Sequence, residues 1–215
     1  LYLNAILDGA EIYPGQQYQS RNYVVDNSQF LGNDSYGLIL RNIDQNSDMR
    51  STINIELTNL VSADNGSVGI EVHNIGTTSQ WSSGNWNLTF DNNQVYNNGS
   101  FGLWFWNLWQ NRNAGQSSMA ITNNQIYDND DNEFKIGYIT SLGENGSITT
   151  QIENNDFIDD EGYLVVMDAN LEEDRLGEEI TMRNNYWGEL ATDEMNEGDN
   201  PKDITQFYDY YDDNN

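Results

Sequence analysis

The 215-residue chain repeats six times a motif in which a leading asparagine lies between alternating apolar residues, and in the last four repeats a second asparagine follows it directly. Successive leading asparagines are 32, 33, 31, 31 and 30 residues apart: Asn27, Asn59, Asn92, Asn123, Asn154 and Asn184. Units this short cannot bury an apolar face alone, so they must stack on one another. Each unit holds alternating runs of three to five residues separated by Asn, Asp and Gly, which is typical of short strands joined by turns. The repeat predicts a β-solenoid.

The recurring asparagine has a mechanical role in this prediction. Asparagine tolerates the left-handed backbone that a sharp turn needs, and its amide can bond the amides of the units above and below. We therefore expect the six leading asparagines to stack in one column, as a ladder of amides that satisfy one another.

The motif Ile-x-Asn-Asn-x-Ile, followed by Asn-Asn/Asp-x-Gly-x-Gly and an apolar residue, resembles the right-handed parallel β-helix repeat family, the pectate-lyase-like superfold. The segments Asn184-Asn-Tyr-Trp-Gly188 and 208–213 are similar to the last-rung ending of bacterial secreted members. The resemblance implies an all-β, right-handed parallel β-helix. It says little about activity, because this superfold serves lyases, hydrolases, epimerases, adhesins and inert stalks.

Three regions follow from the repeat. Residues 24–199 are predicted to form about six rungs of the β-helix, with negligible helix. Residues 1–23 are a partial rung or a junction, and their abrupt start predicts that the chain is part of a longer protein. Residues 200–215 are predicted to form a short C-terminal capping helix with an acidic tail, because Pro201 suits a first helical position. An apolar stripe at helical spacing supports that helix: Ile204, Phe207, Tyr208 and Tyr211.

The net charge of the chain limits the classes of partner that it can bind. It has 35 acidic and 8 basic residues, for a net charge of −27, which repels nucleic acid and anionic membranes. No apolar run is long enough to insert into a membrane. The acidic turns at 128–133 and 156–162 predict affinity for Ca²⁺, whose ligands are left unassigned; a solvated acidic surface is the alternative.

The resemblance also predicts which strand face meets solvent. One strand of each rung points apolar side chains inward: Leu38 and Leu40, Ile70 and Val72, Leu103 and Phe105, Phe134 and Ile136, Leu164 and Val166. The opposite parity faces outward: Ile39 and Arg41, Glu71 and His73, Trp104 and Trp106, Lys135, Val165 and Met167. In this superfold that face is the saccharide groove.

Aromatic rings on this face predict carbohydrate binding. Trp104 and Trp106 offer flat platforms for sugar rings. Two loops are expected to wall the groove, 107–118 with Trp109 and 74–85 with Trp81. The alternative is that the 107–118 loop simply covers the two tryptophans.

Enzymatic chemistry is the rival interpretation. His73 beside Glu71 forms a potential proton-transfer pair, Lys135 is a second candidate base, and Arg41 could neutralise a uronate. The motifs of known enzymes are absent, however: W-I-D-H and R-x-P-x-x-R of pectate lyases, and N-T-D, G-H-G and R-I-K of polygalacturonases.

The leading hypothesis is a secreted or cell-surface domain that binds a carbohydrate polymer through the outward face. The alternatives are a polysaccharide lyase or epimerase, and a structural segment of an adhesin or filament. Sequons for N-glycosylation agree with an extracellular home: Asn33, Asn65, Asn87, Asn98 and Asn145.

Overall fold

Parallel strands build the fold. The computed structural model describes residues 2–4, 21–43, 52–75, 85–110, 116–141, 147–159, 162–167, 180–198 and 203–208. Within these ranges the strands form three parallel sheets of seven, six and five strands, named sheets A, B and C. One short helix, α1 (Gly188–Asn196), lies near the C-terminus.

The strand bounds are as follows. Sheet A consists of β1 (Tyr2–Asn4), β4 (Leu38–Ile43), β7 (Ile70–Ile75), β10 (Leu103–Gln110), β13 (Asn132–Ser141), β16 (Tyr163–Met167) and β18 (Phe207–Tyr208). Sheet B consists of β2 (Arg21–Asp26), β5 (Thr52–Thr58), β8 (Asn85–Asp91), β11 (Gln116–Thr122), β14 (Ser147–Glu153) and β17 (Met182–Arg183). Sheet C consists of β3 (Gln29–Leu31), β6 (Val61–Ala63), β9 (Gln94–Tyr96), β12 (Gln125–Tyr127) and β15 (Asp156–Ile158).

Each coil of the chain contributes one strand to sheet B, then one to sheet C, then one to sheet A. Strands therefore pair with the equivalent strands of the coils before and after them, as β5 does with β2 and β8. Five described coils are complete, and four turns of the chain separate the first from the fifth. The sixth repeat is partial, with β17, an isolated bridge at Tyr186 and β18. The predicted parallel solenoid is confirmed.

Alternation along the strands places the core inside the coils. The inward positions predicted for sheet A in the first four coils, from Leu38 to Ile136, are at most 1% exposed. Aromatic rings contact one another along the core, with centroids 4.8–6.1 Å apart: Phe90, Phe105, Phe134, Phe157, Trp187 and Phe207. Edge-to-face and offset contacts at these distances stabilise the stack beyond area burial alone.

The leading asparagines turn the chain between sheets B and C. All six have left-handed φ angles, between 47° and 57°, in the predicted column. Their side chains are exposed, and one pair bonds as predicted, with Asn92 Nδ2 2.6 Å from Asn59 Oδ1. The amides of Asn59 and Asn123 donate to aspartates instead, so the prediction of one continuous ladder is wrong. The buried ladder consists of the next residue in the repeat, with Nδ2–Oδ1 distances of 2.9–3.0 Å: Asn93, Asn124, Asn155 and Asn185. The residue after a left-handed turn points inward, where an amide needs partners.

The predicted capping helix at 201–211 is wrong for the residues described there. Residues 203–208 instead make a turn and strand β18, which pairs with Val165 and Val166 of β16. The open edge of β16 offers backbone partners that a helix would leave unsatisfied, and this outweighs the helical spacing of the apolar residues. A short helix near the C-terminus is confirmed, but it occurs earlier, at α1, so the expectation of negligible helix in residues 24–199 is wrong there. Ala191 of α1 is fully buried in the core cluster. Tyr211 lies outside the described residues.

The facing of the fifth coil also differs from the prediction. Val165 and Met167 pair with the inward residues Phe134 and Ile136, and Val166 pairs with the outward Lys135. The expected assignment of Val166 to the core, and of Val165 and Met167 to solvent, is therefore wrong. Val165 lies eleven residues after its leading asparagine, as Phe134 and Leu103 do, so the regular spacing of the repeat places Val165 and Met167 in the inward column. Leu164, which was predicted to face inward, is also fully buried.

Candidate functional site

The outer face of sheet A carries the candidate site. Strand register aligns the outward side chains of four coils into two columns. One column runs through Ile39, Glu71, Trp104 and Lys135. The other runs through Arg41, His73, Trp106 and Gly137. The sequence prediction of this face is correct for these coils.

A buried carboxylate organises one end of the face. Glu71 is 1% exposed, although it lies on the outer side of the sheet. Arg41, from the preceding coil, donates to both of its oxygens, with Nε–Oε1 2.8 Å and Nη2–Oε2 3.1 Å. Burial alone would raise the pKa of Glu71, but hydrogen bonds from His73 and Arg41 and the charge of Arg41 outweigh it and lower the pKa. Glu71 is therefore an ionised acceptor at neutral pH.

This carboxylate sets the tautomer of His73. His73 Nδ1 lies 3.2 Å from Glu71 Oε1, and a carboxylate can only accept, so Nδ1 carries the hydrogen. Nε2 is then the acceptor in the neutral imidazole, and the His73 side chain is 23% exposed. An imidazole oriented by a carboxylate and offering a free lone pair can take up a proton.

A chain of aromatic rings continues from His73 across the face. The His73 and Trp106 centroids are 5.8 Å apart, and those of Trp106 and Trp104 are 6.0 Å apart. Phe101 follows, 5.6 Å from Trp104. All three contacts are edge-to-face, with interplanar angles of 60–84°. The two indoles are therefore not coplanar, and they cannot act as one flat platform for neighbouring sugar units.

Cationic side chains lie over aromatic rings at both ends of the face. Lys135 Nζ is 5.1 Å from the Phe101 centroid and 5.7 Å from that of Trp104. The Arg41 guanidinium lies 5.7 Å from the Tyr36 centroid. Within the described part of the chain, Lys135 forms no ion pair, although acidic residues greatly outnumber basic ones. Cation–π contact holds this ammonium in place without cancelling its charge.

Trp104 has an additional unusual property. Its ring is only partly buried, yet its Nε1 is inaccessible to solvent and has no hydrogen-bond partner among the described residues. A buried donor without an acceptor costs about 1–3 kcal/mol, so native proteins rarely retain one.

Several other predicted site residues fall outside this cluster. The expected loop at 107–118 is wrong in its extent, because β10 continues to Gln110 and β11 begins at Gln116. The backbone of Trp109 pairs with Thr140 in sheet A, and its side chain lies outside the described residues. Trp81 also lies outside them, together with most of the 74–85 segment.

The acidic turns lie beside an open cavity at the corner between sheets C and A. Its volume is about 680 Å³, and its charged lining residues are Asp128, Asp130, Asp131 and Asp159. In the ranges that the structure describes, no three His, Cys, Asp or Glu side chains are grouped to hold a metal ion. Calcium binding at these turns stays a prediction.

Two aromatic residues of the site were not predicted from the sequence. Tyr36 and Phe101 each precede a repeat glycine, Gly37 and Gly102, and that shared position would have placed both beside the outward face.

Two of the predicted N-glycosylation sites are buried. Asn65 and Asn98 are at most 2% exposed, so a folded chain cannot carry glycans there.

Comparison of the chain with protein-family models, curated proteins and solved structures gives no match. The parallel solenoid is therefore established by its own sheets, and membership of the pectate-lyase-like family stays a prediction. Among the described helices, none is long and apolar enough to cross a bilayer.

Proposed function

We propose that the chain binds a carbohydrate polymer, outside the cell or at its surface, through the outer face of sheet A. The observation that carries this proposal is the continuous aromatic cluster of His73, Trp106, Trp104 and Phe101, closed by Lys135. Aromatic faces bind the apolar side of sugar rings, and the adjacent polar groups bind hydroxyls. Three of these rings lie along one coil and His73 lies in the coil before it, and such a row of partly exposed rings suits an extended ligand.

The edge-to-face geometry refines this mode of binding. Since the planes of Trp104 and Trp106 differ by 68°, a sugar ring that stacks on one indole meets the edge of the other. A ligand oxygen that approaches Trp104 could also accept from its unpartnered Nε1 after a small ring movement. This would remove the cost of the unsatisfied donor in the free protein.

Binding to a panel of purified polysaccharides, by affinity electrophoresis and calorimetry, tests the proposal. Trp104→Ala and Trp106→Ala should each weaken binding about tenfold or more, since stacking on one aromatic ring contributes about 1–3 kcal/mol. Tyr96→Ala is the matched control, because Tyr96 stacks on Tyr127 at 4.9 Å in sheet C, away from this face. No binding to any glycan, or full binding by both tryptophan variants, would favour a structural segment of an adhesin or filament instead.

A second candidate function, polysaccharide lyase or epimerase, is favoured by the Arg41–Glu71–His73 arrangement. In such a reaction His73 Nε2 would remove the proton next to the carboxylate of a uronic acid, while Glu71 stabilises the imidazolium that forms. In a lyase the electron pair would then expel the oxygen of the neighbouring glycosidic bond, which takes up a proton; in an epimerase the carbanion would take up a proton on its other face. Arg41 would offset the charge of the uronate, with Lys135 as the other candidate base.

Incubation with polyuronates distinguishes the two functions. An unsaturated product that absorbs in the ultraviolet, and that disappears in His73→Ala or Lys135→Ala, would establish a lyase. Exchange of solvent deuterium into the sugar without cleavage would indicate an epimerase. Binding without either change supports the non-catalytic proposal.

A further inference from the structure

A second asparagine ladder, buried from its second member onward, runs through the corner between sheets C and A. Each amide Nδ2 donates to the Oδ1 of the next coil, at 2.6–2.8 Å, through Asn33, Asn65, Asn98 and Asn129. The backbone N–H groups of the first three also donate to that same oxygen. The ladder thus needs one acceptor beyond its last asparagine.

Glycines make room for this ladder. Four residues after each of the first three asparagines the chain has a glycine: Gly37, Gly69 and Gly102. A Cβ at these positions would lie 2.6–2.8 Å from the Nδ2 of the asparagine in the following coil. The glycine is therefore required wherever another ladder asparagine follows.

In the fourth coil a glutamate stands where the first three coils have glycine. Glu133 takes the glycine position, four residues after Asn129, and is fully buried. Its Oε1 accepts from the backbone N–H of Asn129 at 3.2 Å, and its Oε2 accepts from Asn129 Nδ2. The Glu133 carboxyl therefore supplies the acceptor that the next ladder asparagine would have given.

The charges around Glu133 are predominantly negative. Asp128 lies in the turn before β13 and Asp159 in the turn before β16, and both raise the pKa of Glu133. Asp130 and Asp131 line the same corner of the stack. The nearest basic residue along β13, Lys135, directs its Nζ to Phe101 and Trp104 on the outer face. Burial is the largest cause, and it raises the pKa of Glu133 to about 8 despite the hydrogen bonds from Asn129.

We propose that Glu133 is a proton-dependent terminator of the ladder. As a neutral acid it completes the hydrogen bonds of Asn129 at the end of the ladder. As a carboxylate it is a buried charge near Asp128 of its own coil and Asp159 of the fifth coil, and it destabilises this part of the stack.

The direction of the pH effect follows from linkage. The unfolded chain releases this proton near pH 4.5 and the folded chain near pH 8. Between these values the folded state holds the extra proton, so its stability falls as pH rises and becomes constant above about pH 8.

Thermal unfolding of wild type and Glu133→Gln between pH 4.5 and pH 9 tests the proposal. Glutamine keeps one of the two acceptor oxygens, and one oxygen accepts both bonds in the ladder asparagines, but it has no proton to lose. The two proteins should melt within a degree or two of each other near pH 4.5, and the variant should melt several degrees higher near pH 8. Glu56→Gln is the matched control, because Glu56 is exposed and its removal changes the net charge equally.

Two further readouts keep the proposal falsifiable. Near pH 6, wild type and Glu56→Gln should show the infrared carbonyl band of a protonated carboxylic acid, and Glu133→Gln should lack it. Above pH 8, the Asn129 amide should exchange its hydrogen faster in wild type than in Glu133→Gln. A melting difference that stays constant across the pH range, or the absence of the infrared band, would overturn the proposal.

Discussion

Arg41 and Glu71 form a two-point ion pair between adjacent coils, through Nε–Oε1 and Nη2–Oε2 contacts of 2.8 and 3.1 Å. The carboxylate is 1% exposed and the Arg41 side chain is 28% exposed. The pair therefore fastens two coils together on the same face that carries the aromatic cluster.

Replacing this carboxylate should destabilise the stack. Glu71→Gln removes the charge that Arg41 and His73 contact, and we expect a loss of about 2–3 kcal/mol in the free energy of unfolding by urea. This is below the range for fully buried pairs, because solvent partly screens Arg41. Glu56→Gln, on an exposed position, should change it by less than about 0.5 kcal/mol. Equal losses in the two variants would contradict the structural role of Glu71.

The pH dependence of the pair has the opposite sign to that of Glu133. The folded pKa of Glu71 lies below its ordinary value of 4.5. The stability that it contributes is present above pH 4.5 and is lost as pH falls through the folded value. The stability difference between wild type and Glu71→Gln should therefore shrink below pH 4.5.

The asparagine ladder between sheets B and C, which includes Asn93, Asn124 and Asn155, predicts that Asn124→Ala strongly lowers the free energy of unfolding. The Asn124 amide accepts from the N–H and Nδ2 of Asn93, both at 2.9 Å, and donates to Asn155 Oδ1. Its removal leaves buried polar groups without partners, so we expect a loss of about 3 kcal/mol or more. Asn54→Ala is the control, since Asn54 makes equivalent amide contacts on the solvent face of sheet B. Similar losses for both would show that the buried amides are solvated.

The glycine column predicts different costs at two glycines. Gly102→Ala would place a Cβ 2.6 Å from Asn129 Nδ2 and 2.8 Å from the Glu133 carbonyl oxygen. Overpacking against a backbone atom should cost about 1–3 kcal/mol in chemical denaturation. Gly32→Ala meets nothing within 4 Å, and its φ of +60° should cost only about 1 kcal/mol. A milder effect at Gly102 than at Gly32 would show that the ladder moves aside.

Calcium should stabilise the acidic corner. The Asp128, Asp130, Asp131 and Asp159 carboxylates repel one another, and a bound cation would relieve this. We expect CaCl₂ to raise the melting temperature more than NaCl does at equal ionic strength, and chelator to reverse the difference. Identical shifts in the two salts would mean that screening alone acts there.

The repeat spacing was sufficient to predict the solenoid, because units of this length must stack to bury an apolar face. The outward face of the first four coils was predicted from the family resemblance, which identified the strand, together with strand alternation, which assigned its two sides. Of the two adjacent asparagines in a repeat, such as Asn123 and Asn124, the wrong one was predicted to form the ladder. Asn124 shares the inward parity of Ile126, two residues later, and this signal would have identified the ladder.

Other features depend on contacts that no local pattern contains. The strand at Phe207–Tyr208 forms because the edge of β16 is available, although the local spacing of apolar residues favours a helix. The edge-to-face packing of Trp104 and Trp106 depends on neighbours in two coils. The role of Glu133 becomes visible only when its glycine-column position is seen beside Asn129.

The side-chain amides of both ladders donate in the same direction, from each coil to the one that follows it. A stack built this way has a polarity. Each ladder amide of an interior coil needs only an acceptor oxygen from the coil that follows it. Insertion or removal of one whole repeat between Asn93 and Asn124 would preserve that relationship, because any interior coil supplies the same oxygen. The length of the rod can thus vary by duplication of single units while its terminal residues stay unchanged.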